Sequence, residues 1–240
     1  GRFYIFLSKA HRGLRDRKKA NIALKEFAKL YPHHIQIQKA KFNIGRNLWN
    51  LGKPIAGAKY FKEVANEPSP SERAIKALFF LGKIYEERKN FSEALKTYQA
   101  TLNKYSFDFY GQWAGWRLGW VNYINGNFGK AFKCFQDVAQ KFPKGPFIEY
   151  NLYWSAKSAE KIGEKEKAGK IFTDIAKIYP YTFHGIRARE KMVKSGVSIP
   201  ENNAKASTAI PSKKLGRALT SLENFRHTRA LELSALGLDA

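Results

Sequence analysis

The sequence predicts an all-α fold: a helix-hairpin repeat solenoid of about five repeats of 37 residues, followed by C-terminal helices. Three periodic observations predict it. Small residues recur at Ser8, Gly45, Gly82, Gly119 and Ala156, and again twelve positions on, at Ala20, Gly57, Ala94, Ala131 and Ala168. Four residues further stands a large side chain: Leu24, Phe61, Tyr98, Phe135 and Phe172. Each unit then closes at Pro32, Ser69, Ser106, Pro143 or Pro180, preceded by Tyr31, Pro68, Tyr105, Phe142 or Tyr179. Helices that cross closely need small residues where their backbones approach and a large knob beside them. Proline cannot continue a helix, so it marks the end of a pair. One short hairpin is marginal alone, and stacked hairpins share a continuous core.

The elements follow in order. Residues 1–12 read as a first helix, RGLRDRKKA as a basic turn, and 19–30 as the partner helix. Repeat two covers about 38–66 and turns at Gly52-Lys53-Pro54, with Pro54 suited to a helix start. The loop NEPSPSER places Ser71 as an N-cap. Repeats three, four and five cover about 72–105, 111–142 and 148–179, the last turning at Ile162-Gly163-Glu164-Lys165. After Pro180 one short helix is expected, outside the repeat pattern. Residues 1–195 thus form the superhelical domain. Residues 196–212, polar with two prolines, read as a linker or long loop. Residues 213–240 read as two terminal helices, about 213–224 and 227–237. The start at Gly1 and the end at LGLDA suggest a piece of a longer protein.

Lys and Arg number 43 against 20 Asp and Glu, a net charge of +23. Such a polycation is either a solvated Lys-rich surface or a match for an anionic partner. No apolar run approaches the roughly 20 residues of a membrane helix. One cysteine, Cys134, excludes an internal disulfide and is expected in the core of a second helix. One Cys and five scattered His build no zinc site, and no GxxxxGK[ST] or HExxH motif is present, so neither cofactor nor metal is expected. His33-His34 read as loop residues, and Glu86-Glu87 and Glu160, with Lys neighbours, as exposed ion pairs of small worth.

One stripe of the first helices is the candidate binding surface. One step past the small position lie Lys9, Arg46, Lys83, Trp120 and Lys157; three before it lie Ile5, Phe42, Phe79, Trp116 and Tyr153. Six before it lie Arg2, Lys39, Lys76, Trp113 and Tyr150. If the stripe lines a concave face, Lys9, Arg46, Lys83 and Lys157 would hold anionic or hydroxyl-rich groups. Trp113, Trp116, Trp120 and Tyr153 would then stack on sugars or bases. The alternative is that the rings pack between neighbouring repeats and the bases stay wet.

Hairpins with this small/aromatic/Pro signature resemble tetratricopeptide repeats, usually about 34 residues long. A closer resemblance concerns WRLGWVNYINGNFGKAFKCFQDVA and LYWSAKSAEKIGEKEKAGKIFTDIAKIYPYTFHGIRA. Trp116–Trp120, Leu152-Tyr153-Trp154, and Tyr179, Pro180, Phe183, Gly185 and Ala188 are similar to motifs in the superhelix of soluble lytic transglycosylases. His184 stands where that family often has Tyr. The resemblance implies a scaffold that frames peptidoglycan glycan strands for a C-terminal lysozyme-like domain in the periplasm. The family's catalytic Glu-Ser pair and Gly-Leu-Met-Gln segment do not occur in this chain, so no catalytic residue is carried over. The competing expectation is a tetratricopeptide adaptor that docks a peptide or protein partner in its groove. A third, RNA binding, rests on charge and aromatics alone.

Overall fold

The computed structural model describes residues 1–67 and 71–196. Among them are eleven α-helices and no strand. They are α1 (Arg2–Gly13), α2 (Arg17–Leu30), α3 (Ile37–Asn50), α4 (Pro54–Ala65), α5 (Glu72–Glu87), α6 (Phe91–Lys104), α7 (Phe109–Ile124), α8 (Phe128–Lys141), α9 (Ile148–Lys161), α10 (Lys165–Ile178) and α11 (Phe183–Lys194). The first ten form five hairpins, and α11 follows as a sixth first helix. The expected linker from 197 onward and the two terminal helices lie outside the described residues, as do Pro68 and Ser69.

The periodic small and large residues meet as the sequence requires. A Cβ on Gly82 would lie 2.6 Å from the Tyr98 ring, and one on Gly45 3.0 Å from Phe61. A Cβ on Gly119 would fall inside the Phe135 ring's van der Waals envelope. Each knob fills the space that the small residue leaves. Phe61, Tyr98 and Phe135 are fully buried there.

The hairpin turns add a series of their own. Gly52, Gly126 and Gly163 adopt positive φ of 72°, 75° and 85°. One period apart from these, Arg15 and Lys89 adopt φ of 59° and 58° in the same conformation. The backbone reversal is thus common to all five hairpins, and glycine takes it without the steric cost a Cβ brings. Five of the eleven described helix starts are capped by side chains. Asp16, Ser71, Asn90, Asp108 and Thr182 each accept from a backbone N–H in the first turn of the following helix.

The helix α11 keeps the repeat register, contrary to the expectation of a break after Pro180. Gly185 stands two periods after Gly111. At both, a Cβ would collide with a carbonyl oxygen of the preceding loop, that of Tyr179 and Tyr105 respectively. Ala188, one period beyond Asn151 and two beyond Ala114, is buried like both of them.

Successive hairpins are joined by one recurring contact between first helices. Four residues past the small position, a side chain reaches the residue 31 positions on. Arg12 Nη1 donates to Asn43 Oδ1 at 3.4 Å, and the Trp49 ring lies 5.5 Å from Phe80. Arg117 Nη1 pairs with Glu86 Oε1 at 3.0 Å, and Tyr123 meets Trp154 edge-on at 5.0 Å. Lys191 Nζ closes the series on Glu160 Oε1 at 2.6 Å. The joints alternate polar, aromatic, charged, aromatic, charged.

First helices also pack on first helices, α3 on α5, α5 on α7, α7 on α9 and α9 on α11, whereas second helices pack on the first helices beside them. The closer spacing puts the first helices on the inner, concave side of the stack.

Candidate functional site

The inner layer changes character along its length. At its N-terminal end Lys9 is exposed, and Arg46 and Lys83 are half-buried. Arg46 on α3 lies within electrostatic reach of Arg12 at the end of α1, Arg17 at the start of α2 and Tyr110 on α7. Burial, then the Arg12 charge, pulls the Arg46 guanidinium below its ordinary pKa. No carboxylate of the described residues pairs with Arg46. Lys76 sits over the Tyr110 ring, 5.5 Å from its centroid, and bonds Glu72 one turn earlier on α5. Burial raises the Tyr110 hydroxyl above its usual pKa. The result is a cationic face drawn from α1, α3 and α5, with the Tyr110 ring on α7 within reach of it.

The centre is aromatic and closed. Trp116 and Trp120 are 0% and 1% exposed. They stack on each other at 5.6 Å and 16°, and Trp154 meets Trp120 edge-on at 4.8 Å. Trp113 is half-buried, 4.4 Å from Phe79 and stacked on Phe147. The expectation of three Trp on one accessible platform is therefore corrected for Trp116 and Trp120. The next hairpin covers their faces, because one side of a first helix serves both the groove and the neighbouring repeat. Tyr153 is half-buried against Phe172 and His184, and burial pushes its hydroxyl up to about 12. Lys157 is half-buried one turn further; burial, then the Lys191 charge, lowers its pKa, and Glu160 lies 4.0 Å away. The structure thus separates the candidate residues into a basic group (Lys9, Arg46, Lys83), a sealed aromatic group (Trp116, Trp120) and a mixed group (Tyr153, Lys157).

Sequence reasoning missed the ion pair beneath this surface. Glu86 is not an exposed glutamate of small worth. Its side chain is 11% exposed, it faces the 2% exposed Arg117, and the Tyr98 hydroxyl donates to its other oxygen at 2.8 Å. Glu87 also has a partner, accepting from the Trp49 indole at 2.7 Å. Spacings of 31 and 38 fall outside any single-helix pattern; the repeat period was the signal that could have found them.

Other chemistry is sparse. Among the described residues no group of three His, Cys, Asp or Glu is arranged to hold a metal, and no helix is long and apolar enough to cross a membrane. Cys134 is half-buried, and burial raises its thiol pKa. His34 Nδ1 accepts from the Gln36 N–H at 3.0 Å and the ring abuts Phe27, which is a loop-fixing role.

With this geometry in view, the comparisons with known proteins agree on one architecture. The tetratricopeptide repeat family model matches residues 76–107 and 150–180. A crystal structure of MamA protein superposes with a TM-score of 0.59 at 18% identity, covering 82% of this chain and 96% of that one. The chain is a tetratricopeptide-like repeat solenoid. A tetratricopeptide repeat protein from Parabacteroides merdae gives a TM-score of 0.61 at 17% identity, covering 82% of this chain and 76% of that one. A putative kinesin light chain from Podosopora anserina gives 0.56 at 12% identity, over 82% and 97%. No curated protein matches the chain in sequence.

These matches overturn the attribution to the lytic transglycosylases, and with it the role of framing glycan strands for that enzyme. The residues that carried the resemblance have packing duties any such stack needs. Trp116, Leu118, Gly119 and Trp120 build a close crossing and an inter-repeat joint, and Arg117 answers Glu86. Gly185 lets α11 start against the Tyr179 carbonyl.

Proposed function

We propose that this chain is a protein-interaction adaptor whose N-terminal cationic face docks an acidic segment of a partner protein. One observation carries the reading. Arg46 is half-buried within electrostatic reach of Arg12 and Arg17, and no described carboxylate pairs with it. A partly desolvated guanidinium that feels two further positive charges is better satisfied with an anion nearby, so the arrangement favours an anionic occupant. The net charge of +23 supplies long-range attraction for the same class of partner. The tetratricopeptide fold of the structural neighbours supports a groove-binding role.

The test is fluorescence anisotropy with a labelled oligo-glutamate peptide. Arg46→Glu/Lys83→Glu is expected to weaken binding by at least about tenfold, with wild-type affinity falling as salt rises. Equal affinity of wild type and double variant at low salt would overturn the proposal.

A further inference from the structure

A recess lies between α4 and the C-terminal end of α5, with a volume of about 540 Å³. Its apolar surface comes from Ile55, Ala58, Ile84 and Tyr85, and its rim carries Lys59, Lys62 and Arg88. Ile84 is buried and fixed in the core, whereas Ile55 is 65% exposed. Lys62 reaches over the Tyr85 ring at 5.8 Å. The one rim carboxylate, Glu63, is engaged by Lys41 at 2.9 Å. Lys59, Lys62 and Arg88 pair with no carboxylate of the described residues.

The repeat register shows that this combination of lining residues occurs once in the repeats. Stepping by the period from Ala58 gives Asn21, Leu95, Phe132 and Gly169; from Ile55 it gives Lys18, Ser92, Gly129 and Glu166. The third and fourth hairpins thus put Leu95 and Phe132 where the second has a methyl group, and the fifth has Gly169 there but Glu166 in place of Ile55. Leu95 packs against the adjacent core cluster. Repeat two alone combines a missing side chain below with an exposed isoleucine at the mouth. Arg88 is likewise local: its equivalents are Leu14, Leu51, Asn125 and Ile162. An apolar hollow with a few convergent polar groups is the usual build of a binding site.

We infer that this recess is a docking site for a partner peptide that inserts one bulky apolar side chain between flanking carboxylates. The hollow left by Ala58 takes the apolar anchor, and Lys59, Lys62 and Arg88 take the acidic neighbours. This site lies on different residues from the N-terminal cationic face, so the two stand or fall separately.

The probe is a fluorescein-labelled peptide Asp-Asp-Phe-Asp-Asp, compared with Asp-Asp-Ser-Asp-Asp, by anisotropy at physiological salt. Wild type is expected to bind the Phe peptide at least about tenfold more tightly than the Ser peptide. Ala58→Leu, which installs the residue type of position 95, is expected to remove that preference while thermal unfolding stays close to wild type. Ile55→Ser, the residue type of position 92, changes an exposed side chain and gives the same readout should the first variant not fold. Arg46→Glu/Lys83→Glu is expected to keep the preference. Equal binding of both peptides by wild type, or an undiminished preference in the folded variants, would overturn the inference.

Discussion

The N-terminal and central parts of the inner layer share one backbone register yet present opposite chemistry. One step past the small residue, α3 and α5 carry Arg46 and Lys83, half-buried and cationic, whereas α7 carries Trp120, 1% exposed. Where the side chain is long and charged, its head seeks water and the groove stays open. Where it is a flat ring, the neighbouring rings close over it, as Tyr123 and Trp154 do on Trp120. A single repeated position is therefore solvent-accessible in one hairpin and core in another. The centre is sealed core, and the N-terminal end stays open to solvent.

Three substitutions sharpen this contrast. The largest effect is expected from Arg117→Met, which leaves the Glu86 carboxylate nearly buried with the Tyr98 hydroxyl as its remaining described partner. Breaking one side of such a pair costs roughly 3–5 kcal/mol. Adding Glu86→Gln should recover much of the loss, and denaturant unfolding of the single and double variants reads both values. Next comes Gly119→Leu, which drives a side chain into the Phe135 ring. Overpacking of this kind costs about 1–3 kcal/mol, visible as a lowered thermal midpoint. An unchanged midpoint would contradict the close crossing of α7 and α8. The smallest effect belongs to the open end. Arg46→Met removes a cation that no described carboxylate neutralises, so stability should change by about 0.5 kcal/mol or less while oligo-glutamate binding weakens. Strong destabilisation there would mean that Arg46 serves the core, and the division between end and centre would fail.

Much of the fold was legible because the repeat writes its own packing rules. Gly82 under Tyr98 and Gly119 under Phe135 are visible as spacing before they are visible as contacts. The Ser71 cap and the Pro54 start follow from local chemistry and stand in the structure. The sixth first helix was less legible, since Val193 occupies its small position, yet Gly185 two periods after Gly111 marks the same start. The candidate site was legible only as a stripe. Periodicity places Trp116, Trp120 and Arg46 on one face but says nothing of what the next hairpin lays over that face. Lys9, Arg46 and Lys83 retain solvent access and Trp116 does not, and this is decided by tertiary packing. The link between Glu86 and Arg117 joins different hairpins and leaves no trace in any short motif.

The alternating joints between first helices have a consequence for how such a chain can lengthen or shorten. Excising residues 72–108 would bring Trp49 opposite Arg117, an indole facing a guanidinium stripped of its carboxylate. Excising 72–145 would instead bring Trp49 opposite Trp154, ring to ring, as Trp49 and Phe80 meet now. Although its shape repeats with every hairpin, the molecule counts in twos, and its tolerance of loss or duplication should follow that even arithmetic.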